Sequence, residues 1–160
     1  KAEQEVVVTR LFNAARRNRL EFLLEVIPSK VAPVNDRTTA DIITRFYDIG
    51  IYPDWWKLEP MKTEAAWKAA SDAITSRDPY TRGIVVLGLG SGEAELAESF
   101  AEAARHPLVK GFAVGRTIFA EPARKWMTGA MTDAEAVTEM AGNFDRLCKV
   151  WDKARTAAKG

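Results

Sequence analysis

Ile51-Tyr52-Pro53-Asp54-Trp55-Trp56-Lys57-Leu58-Glu59-Pro60 reads as a strand over 51–58, with one proline near its start and another after its end. Proline gives no N–H to a sheet ladder, so it collects at strand margins. Upstream, the mostly apolar run 20–27, closed by Pro28, predicts an earlier strand. Downstream, Gly83-Ile84-Val85-Val86-Leu87-Gly88-Leu89 predicts a third strand, rich in the β-branched residues of a strand buried on both faces. A fourth is expected over 109–114, ended by Gly115-Arg116.

Helical patterns fill the intervals. Residues 5–17 form an amphipathic helix with Val8, Leu11, Phe12 and Ala15 on one face. After a loop over 28–35, Asp36 is expected to cap a helix running to Ile49 and stopped by Gly50. Thr63 opens the next, with Trp67, Ala70 and Ile74 inward. Residues 93–105 and 118–127 are read as two more helices. Thr132-Asp133-Ala134-Glu135 has the form of a capping box for a long last helix that carries Val137, Met140, Phe144, Leu147 and Trp151.

Strand ends recur about every thirty residues, the length of one βα unit. The expected fold is therefore α/β, with four βα units and parallel strands joined by right-handed crossovers. Two architectures fit: a small open doubly wound sheet, or half of a (β/α)8 TIM barrel. Residues 1–160 are read as a single domain. Because they open abruptly in helical sequence, a piece of a longer chain is expected.

Composition narrows the function classes. Of the 160 residues, 47% are hydrophobic and 28% charged, which is globular rather than disordered. No apolar run is long enough for a bilayer, and the first residues lack a secretory signal. The single cysteine, Cys148, excludes an internal disulfide and a Cys-based zinc site; buried packing is its expected role. The cytoplasm is the expected compartment. A net charge of +1 gives no global reason to expect nucleic acid or an anionic membrane as a partner.

In either architecture, function gathers at the C-terminal strand ends. The first end carries Glu25 and the loop Pro28-Ser29-Lys30, the second Lys57 and Glu59, the third Gly90-Ser91-Gly92, and the fourth Gly115-Arg116. A lysine within an apolar strand must pair with a carboxylate, reach water at the strand mouth, or lose its proton. Pairing would be with Glu25 or Glu59. Loss of the proton would give an amine able to attack a ketone or aldehyde. Glu25 is placed to shuttle protons or to pair. Glu59, just before Pro60, also suits bonding to loop amides. Gly115-Arg116 joins backbone amides, a helix start and a guanidinium, as an anion site requires. Ser91 and Gly92 offer a second set of amides. His106, at a helix end on the opposite side, is expected to be structural.

The motif 54–60 resembles the lysine-bearing strand of class I aldolases of the tagatose-1,6-bisphosphate type. Gly111-Phe112-Ala113-Val114-Gly115-Arg116 resembles that family's last strand, and Leu23-Leu24-Glu25 its glutamate-bearing one. Together with residues 22–28, 51–60 and 82–88, they look closest to the aldolase-like domain carried C-terminally by bacterial 5-dehydro-2-deoxygluconokinase fusion proteins. The resemblance implies the C-terminal half of a TIM barrel and a place in inositol catabolism. There, 6-phospho-5-dehydro-2-deoxygluconate is cleaved through a lysine Schiff base to dihydroxyacetone phosphate and malonate semialdehyde, with no cofactor. By the same resemblance Lys57 would form the Schiff base and Glu25 would assist proton transfer. Gly115 and Arg116 would hold phosphate, and Ser91, Gly92, Glu59 and Lys30 are expected around the substrate. A non-catalytic, phosphosugar-binding accessory domain is the alternative. Four strands from a barrel would leave edges uncovered, so self-association or a missing N-terminal half-barrel is expected.

Overall fold

A computed structural model of the chain describes residues 2–88 and 90–158. Four strands, β1 (Leu23–Val26), β2 (Trp55–Leu58), β3 (Gly83–Leu87) and β4 (Val109–Ala113), form one parallel sheet in the order β1-β2-β3-β4. Helix α1 (Ala2–Arg17) precedes the sheet. Helices α2 (Thr38–Asp48), α3 (Glu64–Thr75) and α4 (Glu93–Ala103) join successive strands, and α5 (Arg116–Met127) and α6 (Asp133–Ala157) follow β4.

Sequential strand order decides between the two architectures. Right-handed crossovers that always step the same way put every connecting helix on the same face, whereas a doubly wound sheet must reverse its order to cover both. Burial agrees with this. Leu24, Val26, Trp56, Leu58, Ile84, Val86 and Val109 enter one core with Ile43 and Tyr47 of α2, Trp67 and Ile74 of α3, Leu96 and Phe100 of α4, and Leu147 and Trp151 of α6. The alternate residues differ. Leu23 is 45% exposed, and Trp55, Lys57 and Val85 are only half-buried, while Leu87, at the exit of β3, is buried. The architecture is that of half a (β/α)8 barrel, with its inner face open.

The strands are shorter than the apolar runs. Phe22 N–H donates to Asp54 Oδ2 (2.7 Å), and Asp54 and Trp55 N–H both reach Phe22 O (2.9 and 3.2 Å). This clasp starts the ladder at Leu23 opposite Trp55. Arg16 braces it from α1, 2.8 Å from Asp54. Ile51 N–H instead closes the end of α2 on Phe46 O, so residues 51–53 lead into β2. Leu89, at the end of the expected third strand, lies outside the described residues. Gly83 has φ +130°, and a Cβ there would meet Leu108 O at 2.6 Å, so β3 starts on a residue that must be glycine.

Four details of the sequence reading change. Asp36 does not cap α2. Its carboxylate accepts from the Thr63 hydroxyl (2.7 Å), while Asn35 Oδ1 accepts from Arg37 N–H (2.9 Å) and the Thr38 hydroxyl (3.1 Å). Leu11 is exposed, and Val8 and Phe12 are the α1 side chains that pack against the core. Val137 and Phe144 are exposed on α6, whose inner face is Ala136, Leu147 and Trp151. Cys148 is half-buried rather than buried. The Thr132–Glu135 capping box and the Thr63 cap, which accepts from Ala66 N–H, form as expected.

His106 lies in the turn before β4, at the end of the sheet away from the strand exits. Its ring stacks on Trp67 (5.5 Å, 23°), and its Nε2 is buried with no hydrogen-bond partner among the described residues. Burial lowers its pKa, while Glu102 and Glu64 pull it back up and Arg105 adds to the lowering. A histidine held below its unfolded value of about 6.5 stabilises the fold above that pH, and loses the contribution as pH falls through the folded value. The urea midpoint should therefore drop between pH 7 and pH 5, with a shallower slope in His106→Gln. Equal slopes in the two proteins would show that the ring accepts a proton without cost.

Candidate functional site

β1 and β2 pair with Glu25 directly opposite Lys57. Residues opposite each other in adjacent parallel strands point to the same face, and both side chains rise from the open one. Lys57 Nζ lies 2.8 Å from Glu25 Oε1, with side-chain exposures of 25% and 42%. Of the three outcomes open to Lys57, the resting structure adopts the ion pair, and it does so at the rim of a cleft rather than inside a sealed strand. The strand is apolar because Trp56 and Leu58 are fully buried beneath it.

The cleft measures about 240 Å³ and lies across the C-terminal strand ends. Glu25, Lys30, Lys57, Gly115 and Arg116 all line it. It therefore gathers five of the eight expected residues, from three different strand ends. Three cations surround one carboxylate, so the cleft carries a net positive charge.

The fourth strand end adds to that positive charge. Helix α5 begins two residues earlier than its apolar pattern suggests, making Arg116 its first residue after Gly115. No side chain caps it, and no acidic residue occupies its first turn. The other five α-helices each carry a first-turn acid. The α5 N-terminus thus keeps its positive dipole end toward the cleft, with no acid to offset it. Gly90, at φ +84°, lies against the Arg116 guanidinium, where a Cβ would stand 3.5 Å from its carbon. The Thr117 hydroxyl donates to Ser91 O (2.9 Å), tying α5 to the β3–α4 loop.

Ser91, Gly92 and Glu59 lie outside the cleft wall. Ser91 N–H donates to Gly88 O (2.8 Å) and closes a turn, so it is not turned outward to a ligand. Gly92 is the residue before α4 and bonds back through its carbonyl to Leu96 N–H. Glu59 is buried, and its two oxygens accept from Ser29 N–H (3.1 Å) and the Ser29 hydroxyl (2.5 Å). It bonds the loop after β1, the part foreseen for a strand-end carboxylate.

Phe119, which no motif of the sequence marks, forms part of the cleft wall. It follows Arg116 by three positions, so the two share a helix face. A helix start placed at Arg116 would have made that visible. Among the described residues, no three His, Cys, Asp or Glu side chains group as ligands for a metal, and no helix is long and apolar enough to cross a membrane.

Residues 1–155 match the family described as "Uncharacterized protein conserved in bacteria (DUF2090)". No curated protein matches the chain.

Proposed function

The chain belongs to that bacterial family, and we propose that its cleft performs class I aldolase chemistry on a phosphorylated keto sugar acid, with Lys57 as the nucleophile. The observation that carries this reading is the 2.8 Å contact between Lys57 Nζ and Glu25 Oε1 in a cationic cleft at the strand ends. An ammonium is not a nucleophile. When substrate enters, its proton passes to Glu25, and the amine adds to the ketone carbon. Glu25 returns a proton to the carbinolamine oxygen, which leaves as water. The resulting iminium accepts the electron pair of the adjacent carbon–carbon bond. The hydroxyl on the far carbon passes its proton to Glu25, a carboxylate again once water has left, and becomes an aldehyde. Hydrolysis of the enamine, after protonation at carbon, frees the second product. Arg116 and the uncapped start of α5 are the natural seat for the phosphate. By the same resemblance the substrate is 6-phospho-5-dehydro-2-deoxygluconate of inositol catabolism.

Borohydride reduction in the presence of dihydroxyacetone phosphate, followed by peptide mass mapping, tests the reading on the intact protein. A reduced adduct on the Lys57 peptide is expected. An unmodified Lys57 with intact phosphate binding would favour the second reading, a non-catalytic phosphosugar-binding domain accessory to a sugar kinase. The resting ion pair is the observation that gives that reading its weight.

Association is part of the proposal. The sheet has β1 and β4 at its edges. Leu20 and Leu23 are exposed near one edge, and Phe119 and Phe144 near the other. Two copies supply the eight strands a closed barrel needs, with β1 of each copy beside β4 of its partner. Sedimentation velocity at micromolar concentration should give a dimer. A monodisperse monomer at that concentration would remove this part of the proposal.

A further inference from the structure

We propose that Lys30 reads a second anionic group on the substrate, a carboxylate, and that Glu59 is the positioning residue that keeps Lys30 at the cleft through Ser29. This rests on the reading of the cleft as a site for a phosphorylated keto sugar acid.

Lys30 ends a single 3-10 turn, Pro28–Lys30, which begins two residues after the end of β1. The turn is fastened on two sides. Val31 and Ala32 N–H both donate to Pro28 O (2.9 and 3.2 Å). From beneath, Glu59 accepts from both the amide and the hydroxyl of Ser29. A carboxylate only 6% exposed carries a large desolvation cost unless it is hydrogen-bonded. Both oxygens of Glu59 bond the same loop residue, next to Lys30. That arrangement specifies the position of a turn, and the side chain of the turn that reaches the cleft is Lys30.

Charge gives the turn its purpose. Lys57 already faces Glu25. Arg116 belongs to the α5 end, where phosphate is proposed. Lys30 pairs with no carboxylate among the described residues. It stands on the β1 side of Lys57, and Arg116 on the β4 side. The strands that carry them are three sheet spacings apart, roughly 14 Å between backbones, a span that two long side chains shorten to the length of a six-carbon chain. A substrate with phosphate at one end and carboxylate at the other would meet a cation at each.

The test uses two ligands that have no ketone and so do not engage Lys57 covalently: 6-phosphogluconate, and sorbitol 6-phosphate, which replaces the carboxylate by a hydroxymethyl group. Titration calorimetry on the full chain should show 6-phosphogluconate binding about tenfold or more tightly, the scale of one charge-assisted contact. Lys30→Met should bring the ratio of the two affinities to about one, and Lys30→Arg should restore most of it. Glu59→Gln should lower the ratio while the borohydride adduct at Lys57 still forms. Should that variant fold poorly, the two Lys30 variants decide. Equal affinities in the unaltered protein, no binding of either ligand, or a preference that survives Lys30→Met would each overturn the proposal. A missing Lys57 adduct beside a preference that depends on Lys30 would sink the aldolase reading and leave this one standing.

Discussion

Lys57→Met is expected to abolish the borohydride-trapped adduct and to lower carbon–carbon cleavage by about a thousandfold or more, the scale seen when a covalent nucleophile is removed. Lys57→Arg separates charge from nucleophilicity. It keeps a cation opposite Glu25, but its guanidinium does not deprotonate and so has no amine to offer. If Lys57 is the nucleophile, Arg fails as completely as Met. A Lys57→Arg protein that retained cleavage would reduce Lys57 to an electrostatic partner of Glu25. Glu25→Gln gives the complementary result. Glutamine holds the geometry but accepts no proton, so turnover should fall by roughly 10²–10⁴-fold, the range of one acid–base group. Adduct at Lys57 should still accumulate, only more slowly. The contact at 2.8 Å makes these predictions specific: no other carboxylate on the cleft wall is within reach of that proton.

The site was legible in the sequence to the extent that it depends on strand ends. Glu25 and Lys57 could be paired because consecutive parallel strands of similar length align, and the register sets one opposite the other. Glu59 was harder. It follows β2 two residues after Lys57 and shares its strand parity, so parity alone would send it to the same face. The chain leaves the sheet at Leu58, and Pro60 follows, so parity no longer applies and the carboxylate folds under the Pro28–Lys30 turn. Ser91 misled for a related reason. Its amide serves the turn that Gly90 allows at positive φ, and no composition rule distinguishes an amide spent on a turn from one presented to a ligand. The fold itself was decided by a feature absent from local pattern. A doubly wound sheet and a half-barrel share the same alternation of strands and helices. Strand order separates them, and that follows from which helix covers which neighbour. The two-sided apolar character read for β3 holds at Leu87, which is buried on the inner face, and weakens at Val85, which is half-buried.

Two adjacent tryptophans offer the sharpest measurement of that one-sidedness. Trp56 is fully buried. It meets Tyr47 edge-on (5.6 Å, 73°), lies 6.3 Å from Phe46, and its Nε1 donates to the Tyr47 hydroxyl (3.1 Å). Burial drives the Tyr47 hydroxyl pKa well above its ordinary value, so it stays neutral. Trp56→Ala removes the ring from a core in which α2, β2 and β3 all meet, and leaves that hydroxyl without its donor. The expected cost is about 3–5 kcal/mol, a large share of the roughly 5–15 kcal/mol that holds a domain of this size together. Trp55 points the other way. It is half-buried on the open face, and its Nε1 donates to Glu21 Oε2 (3.1 Å) at a site exposed to water. Trp55→Ala should cost about 1 kcal/mol or less in a dilute monomer. Urea unfolding of the two variants reads the difference directly. At higher protein concentration the cost at Trp55 should grow if a second copy closes over the inner face, because the ring then becomes part of a shared interior, while the cost at Trp56 should not change. Equal and large costs at both positions in the dilute protein would mean that the inner face is already covered, and that the four strands do not stand open as half a barrel.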